Sequence, residues 1–398
     1  MSQLETRHQT SGLNTRFNGD GLAFADYVTQ QREMIARTHS HVPPDHLAKI
    51  VEGNAPFALT PPSSSTPGKT RPYRRGVLLV HGLTDSPYFM RHLGTFFQAQ
   101  GYRVLAIQLP GHGTQPGDLL HVKWRAWAAA VAYGADALAA EADDIYLAGY
   151  SAGGTLCIDH SLHDARVRGL FLYSPALRIS PRAAWAKLHK LVSWFLPEEK
   201  WIQILPDTDI YKYESMPKNA AAQIYALTQH VRSQLVKNSV DIPVFAVASA
   251  DDVTVDSAAT VSFMAHTTHP CNKLVYYTTH PLSPLPGIGA DKLEQVNSAL
   301  PAQGIVSSSH TAIVLPPEDT HYGTGGDYLN FNHYYAHARA RFEACVQHPE
   351  QAVQGEISDE NLRAGSLRRL MFNPHFEALK TSMQRFIHCV HQQDSDTP

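Results

Sequence analysis

The sequence predicts an α/β protein with a mostly parallel central sheet, helices on both faces and a helical cap insertion. Three observations point there. Short apolar runs alternate with helical patterns between residues 76 and 173. The alternation lapses at 179–240 and resumes at 244–248 and 274–277. The composition, 43% hydrophobic and 17% charged over 398 residues, supports a sizeable buried core and excludes wholesale disorder. The expected organisation is an N-terminal extension (1–74), a first core part (75–178), a helical cap insertion (179–240) and a second core part (241–398).

Taken in order, apolar residues Phe24, Tyr27, Val28, Met34 and Ile35 predict a surface helix that Pro43-Pro44 stops. A Pro/Ser/Thr-rich stretch at 60–74 reads as an extended linker or loop. Gly76-Val77-Leu78-Leu79-Val80 reads as a strand buried on both faces. Asp85 or Ser86 then caps a helix with Pro87 in its first turn, ending before Gly101. Further strands are expected at 103–107, 145–148 and 169–173, with helices near 119–140 and from Ala152. The 179–240 region carries Trp185, Leu188, Leu191, Trp194, Phe195 and Trp201, and a helix around 220–236. Strands follow at 244–248, 274–277 and 304–307, and a helix at 376–390 closes the pattern.

With 33 basic and 36 acidic residues the net charge is −3, which argues against a nucleic-acid partner held by charge. Cys157, Cys271, Cys345 and Cys389 are widely spaced and form no Cys-x-x-Cys pair, so neither a zinc site nor a disulfide framework is expected. Residues 1–12 lack the apolar core of a secretory signal, and no segment reaches the roughly 20 apolar residues of a membrane span. A soluble protein of the reducing cytoplasm is the expectation.

Gly149-Tyr150-Ser151-Ala152-Gly153 sits between a predicted strand and a predicted helix. Gly-x-Ser-x-Gly alone arises by chance in roughly one chain of this length in seven, so the context carries the weight. A strand-to-helix turn this sharp requires tiny flanking residues and projects the serine, whose helix N-terminus favours developing negative charge. His81-Gly82-Leu83-Thr84 follows the first core strand, and Leu109-Pro110-Gly111-His112-Gly113-Thr114 follows the second.

These three segments, in this order and spacing, resemble the α/β-hydrolases, specifically the monoacylglycerol-lipase and carboxylesterase-like branch. The resemblance is strong over 76–178, looser over 241–320 and absent over 1–70. It implies the α/β-hydrolase fold, a Ser151 nucleophile and an oxyanion hole of the Leu83 and Ala152 backbone amides. His81 and His112 are expected to shape loops beside the cleft. The acid should follow the strand 244–248: Asp251 and Asp252 both qualify, and Asp252-Val253-Thr254-Val255 resembles the family's acid-x-x-Val pattern. Asp252 is chosen, with Asp251 a solvated neighbour or loop cap. For the base, spacing favours His280, whereas Ser309-His310-Thr311-Ala312, followed by Pro317-Glu318-Asp319 and Tyr322-Gly323, resembles larger bacterial relatives. His310 is chosen.

The implied chemistry is acyl transfer through an acyl-enzyme, with no metal or organic cofactor required. The partner would be a small-molecule ester or lipid-like substrate with an apolar acyl part, Trp185 and Trp194 being candidate pocket residues. Amide or peptide hydrolysis and acyl transfer to another acceptor are rivals on the same fold; a non-catalytic binding scaffold is the rival from another class. The 23 histidines include the spaced pairs His333/His337 and His266/His269, but no His-Glu-x-x-His. These are expected to be ordinary surface or packing residues.

Overall fold

The structure is a computed structural model that describes residues 4–63, 65, 67–179, 197–281 and 283–396. The chain divides into two compact units, one of Met1–Gly169 with Ile179–Asn238, the other of Leu170–Arg178 with Ser239–Pro398.

In the first unit, strands β1 (Phe57–Leu59), β2 (Tyr73–Val80), β3 (Arg103–Ile107) and β4 (Ala142–Tyr150) take the order β1-β3-β2-β4. Strand β2 pairs in parallel with both β3 and β4, and β1 runs antiparallel along β3. Val77, Leu78, Leu79 and Val80 are fully buried, which explains why β2 is a continuous apolar run rather than an alternating one. Each such side chain contributes about 1.5–3 kcal/mol of burial. Helices α1 (Phe24–Thr38), α2 (Pro44–Asn54), α3 (Arg91–Ala99), α4 (Trp124–Glu141) and α5 (Ala152–Ser161) belong to this unit, as does α6 (Lys218–Leu235). Gly134 is where α4 comes closest to the sheet, since a Cβ there would stand 2.7 Å from Leu78 and 2.9 Å from Ile107.

The second unit sets β5 (Val167–Tyr173), β6 (Val244–Ser249), β7 (Lys273–Thr278) and β8 (Leu293–Asn297) side by side, all parallel. Helix α7 (Ser257–Ala265) follows β6, and α8 (Phe376–Asp396) packs Phe386 against Phe171 and Phe245. Strand–helix alternation with parallel pairing makes this an α/β fold.

Several local expectations are corrected. Pro44 does not merely stop α1; it occupies the first turn of α2, where a missing N–H costs nothing. The first 74 residues supply a strand, β1, to the first unit's sheet. No strand forms at 304–307, where Ile305 makes only isolated bridges to Leu300 and Gln354. The strand that follows β7 in this sheet is instead Leu293–Asn297, whose half-buried, polar residues hide the strand pattern; two later short strands, Val353–Gly355 and Leu367–Arg369, pair only with each other. The described part of the cap region adds a short antiparallel pair, Trp201–Gln203 with Met216–Pro217, to the predicted helix. Among the described helices none is long and apolar enough to cross a membrane.

The expectation of no disulfide is also corrected: Cys271 and Cys389 are bonded, tying α8 to the start of β7. A separation of 118 residues leaves no local signature, so the pairing exists only in three dimensions. Cys157 and Cys345 are free and buried. Closing so long a loop restricts the unfolded chain, and we expect Cys271→Ser/Cys389→Ser to lose about 3–5 kcal/mol. Urea unfolding of the variant beside the oxidised wild type measures it.

Candidate active site

Ser151 stands between the last residue of β4 and the first of α5, with φ +53° and ψ −115°. A non-glycine residue held there costs on the order of 1–3 kcal/mol and persists only when its surroundings over-determine it. They do. A Cβ at Gly149 would overlap the Gly153 backbone, and one at Gly153 would overlap the Val80 carbonyl. The two glycines are thus required by close approach of α5 to β4 and to the end of β2. Ser151 is 9% exposed, and Ala152 opens α5 behind it.

The turn after β2 packs directly on this elbow, since a Cβ on Gly82 would lie 3.2 Å from the Ser151 Cβ. Leu83 is half-buried in that turn. His81 braces it: Nε2 accepts the Leu109 N–H at 3.0 Å, which leaves Nδ1 to donate to the Gly82 carbonyl at 2.8 Å. His112 likewise holds its own loop, Nδ1 lying 3.1 Å from the Pro110 carbonyl and 3.2 Å from that of Leu109. Burial pushes both imidazoles down, His112 to about 4 and His81 well below its ordinary value. Both are neutral braces at pH 7.

Sequence reading missed the residues that lock this turn. Lys212 forms a salt bridge to buried Asp85 and donates to Thr84 Oγ1 at 3.1 Å. The Tyr213 N–H reaches the Thr84 carbonyl at 2.8 Å, and its hydroxyl accepts the Thr114 N–H at 2.7 Å. From the N-terminal extension, Asn14 donates to the His112 carbonyl at 2.7 Å, and Thr10 and Ser11 bind Asp118. No pattern in 1–20 signals these contacts, because each is a single polar residue in an irregular segment.

The second unit brings Asp252 and His310 together. Nδ1 of His310 lies 2.7 Å from Asp252 Oδ2, and the Asp252 side chain is fully buried. Its other oxygen accepts the N–H groups of Thr254 and Val255 at 2.8 and 2.9 Å. Asp251 points elsewhere, to Thr279 Oγ1 at 2.9 Å, Ser298 Oγ at 2.5 Å and the Ser308 N–H at 3.2 Å. It is a loop cap. His280 is exposed and makes its backbone hydrogen bond to Thr278 Oγ1.

The His310 backbone rests on a second missed group. Its N–H donates to Glu356 Oε2 at 2.9 Å, and Glu356, fully buried, pairs with Arg369 at 3.0 Å. Ser309 and Thr311 both donate to the Leu370 carbonyl, at 2.6 and 2.9 Å. Trp185 and Trp194 lie outside the described residues.

With this geometry in place, comparison with known proteins identifies the family. Residues 71–280, more than half of the chain, match the serine aminopeptidase S33 family of hydrolases. The chain belongs to that family, and so to the serine hydrolases of the α/β-hydrolase fold. It is similar to the thermostable monoacylglycerol lipase of Bacillus sp. (strain H-257), 30% identical over 160 residues, or 40% of this chain. The match spans 64% of that lipase, slightly less than two thirds of its length. The carboxylesterase of Bacillus subtilis (strain 168) is 25% identical over 189 residues, covering 45% of this chain and 72% of that one. Among solved structures, a metagenome-derived lipolytic enzyme from a study of LipS and LipT aligns with 22% identity and a TM-score of 0.47. That alignment covers 56% of this chain and 87% of the other.

The buried histidines make a pH prediction. His112 titrates near 6.5 when unfolded and about 4 when folded, so the unfolded state takes up the proton first as pH falls. Its contribution to stability is complete above about 6.5, declines below that and is gone near 4. Burial pushes His333 to about 4 as well, adding the same sign. We expect urea midpoints to fall steadily from pH 7 to 4.5, with a shallower fall in His112→Asn.

Proposed function

We propose that the protein hydrolyses carboxylic esters with an apolar acyl portion, using Ser151, His310 and Asp252. The observation that carries this reading is the buried His310–Asp252 pair, in a chain whose elbow holds Ser151 in a strained turn. Donation from Nδ1 to Asp252 leaves Nε2 of His310 as the proton acceptor. In the proposed reaction, Nε2 takes the Ser151 hydroxyl proton while Oγ attacks the ester carbonyl. The tetrahedral oxyanion is held by the Leu83 and Ala152 N–H groups, and its collapse expels the alcohol, which receives the proton from Nε2. Water then attacks the acyl-enzyme by the same steps in reverse, regenerating Ser151.

The names of the two Bacillus relatives, a monoacylglycerol lipase and a carboxylesterase, support an ester over other acyl substrates. The family's description as serine aminopeptidases favours amide hydrolysis as a second reading. The cytoplasmic placement expected from composition is not carried forward, because a disulfide such as Cys271–Cys389 persists chiefly in oxidising compartments.

A p-nitrophenyl ester series of increasing chain length, run beside aminoacyl p-nitroanilides, separates the two readings. Ester turnover rising with chain length is expected; faster anilide turnover would favour the aminopeptidase. Ser151→Ala should lose labelling by a fluorophosphonate probe, and His310→Ala should lose about 10⁴-fold or more in kcat. Asp252→Asn should lose roughly 10³–10⁴-fold. Collapse of turnover in His280→Ala, with His310→Ala near normal, would move the base to His280.

A further inference from the structure

Outside the residues discussed so far, the first unit gathers three ligating side chains on two helices. Asp159 and His163 stand four apart at the C-terminal end of α5, one in its last turn and one just beyond it, and His230 comes from α6. One ligating atom from each lies within 4.8 Å of the other two. Neither His163 nor His230 belongs to a spaced pair noted in the sequence, because the cluster needs both helices to exist.

The geometry within the cluster is specific. His230 Nε2 is 3.3 Å from Asp159 Oδ1, and no better-aligned donor meets that buried oxygen. Ligands about 2.0–2.1 Å from one tetrahedral zinc ion stand about 3.3–3.4 Å apart, which is this separation. Asp159 is only 8% exposed, so water solvates its carboxylate poorly and a bound cation offsets that cost. His163 is exposed and free to close the remaining ångström or so by a rotamer change. Trp124, its ring centroid 4.9 Å from that of His230, fixes the imidazole from the side. The nearby His160 is not available, since Asp164 holds its Nε2 at 2.9 Å and Arg166 covers Asp164 in turn.

We propose that Asp159, His163 and His230 bind a divalent d-block cation, Zn²⁺ in the first place, with water in the fourth position. Two imidazoles and one carboxylate suit zinc and its neighbours, whereas Ca²⁺ and Mg²⁺ require oxygen ligands in larger number. The site clamps the end of α5 to α6. It is structural rather than catalytic, because eight residues of helix place Asp159 about 12 Å along α5 from Ser151. It is independent of the ester-hydrolase reading.

The test uses the untagged full chain stripped with EDTA and titrated calorimetrically with Zn²⁺. One equivalent bound in the micromolar range or tighter is expected, with Tm raised by on the order of 2–4 °C. Co²⁺ should give the visible ligand-field spectrum of a tetrahedral site. Each of His163→Ala, His230→Ala and Asp159→Asn should weaken Zn²⁺ at least ~10-fold while leaving the Tm in EDTA unchanged for the exposed His163→Ala. A wild type with no stoichiometric site would overturn the proposal. So would undiminished affinity in His163→Ala/His230→Ala, which would place the binding among the other histidines. Should Asp159→Asn fail to fold, His163→Ala alone decides.

Discussion

The positive φ of Ser151 is the constraint on which the first unit depends. A strand that must become a helix within one residue brings the backbone of α5 against the carbonyl ends of β2 and β4, and nothing larger than glycine fits at 149 or 153. Once α5 is there, the turn after β2 has nowhere to go but across the elbow, so Gly82 sits against the Ser151 Cβ. That turn then needs partners for its own polar groups. His81 supplies one link, to the loop after β3, and Asp85 with Lys212 supplies another, to the segment before α6. A locally unfavourable conformation is thus held by a sequence of contacts. Strain at a single residue persists in this way only where its surroundings over-determine it.

The second unit solves a different problem. Asp252 sits in a loop and His310 opens a single 3₁₀ turn, so no sheet or α-helix ladder fixes either backbone. Side chains do that work instead. Asp251 gathers the loops at 279, 298 and 308, and Glu356 holds the His310 N–H. A buried carboxylate is costly unless paired, and Arg369 pairs it. The residues that carry Glu356, Arg369 and Leu370 lie beyond the region of family resemblance. An imidazole outside any long ladder is thus held by residues from a later part of the sequence.

What the sequence made legible follows from the range of each signal. Strand β2 and the elbow are written in five consecutive residues each, and β3 and α5 begin where their local chemistry says they should. The choice of Asp252 over Asp251 rested on a pattern four residues long, and the structure does pair Asp252 with His310. Glu356, Lys212 and the disulfide were invisible for the converse reason. Their partners are distant in sequence, and a lone Glu, Lys or Cys carries no indication of what it will meet. Strand β8 was missed because Leu-Glu-Gln-Val-Asn is too polar and too exposed to show a buried period. The 304–307 segment was over-read for the opposite fault, since its Ile305 serves a small cluster with Ala312, Leu370 and Phe372 rather than a sheet.

The abundance of histidine takes its meaning from burial rather than number. In His81 the ring serves as a rigid spacer that donates from one nitrogen and accepts at the other, so one side chain bridges two loops, whereas His112 uses Nδ1 alone to hold its own loop. That use requires the neutral form, and desolvation enforces it. An amide such as Asn offers the same donor and acceptor but is shorter and lacks an aromatic face. The imidazoles also meet aromatic neighbours edge-on, His81 against His112 at 5.0 Å and His112 against Trp127 at 6.0 Å, so one residue type satisfies both polar and apolar neighbours. The same neutrality makes the braces vulnerable to acid. A fold that secures the turns beside its elbow with buried imidazoles is therefore most secure where they bind no second proton, at neutral pH and above.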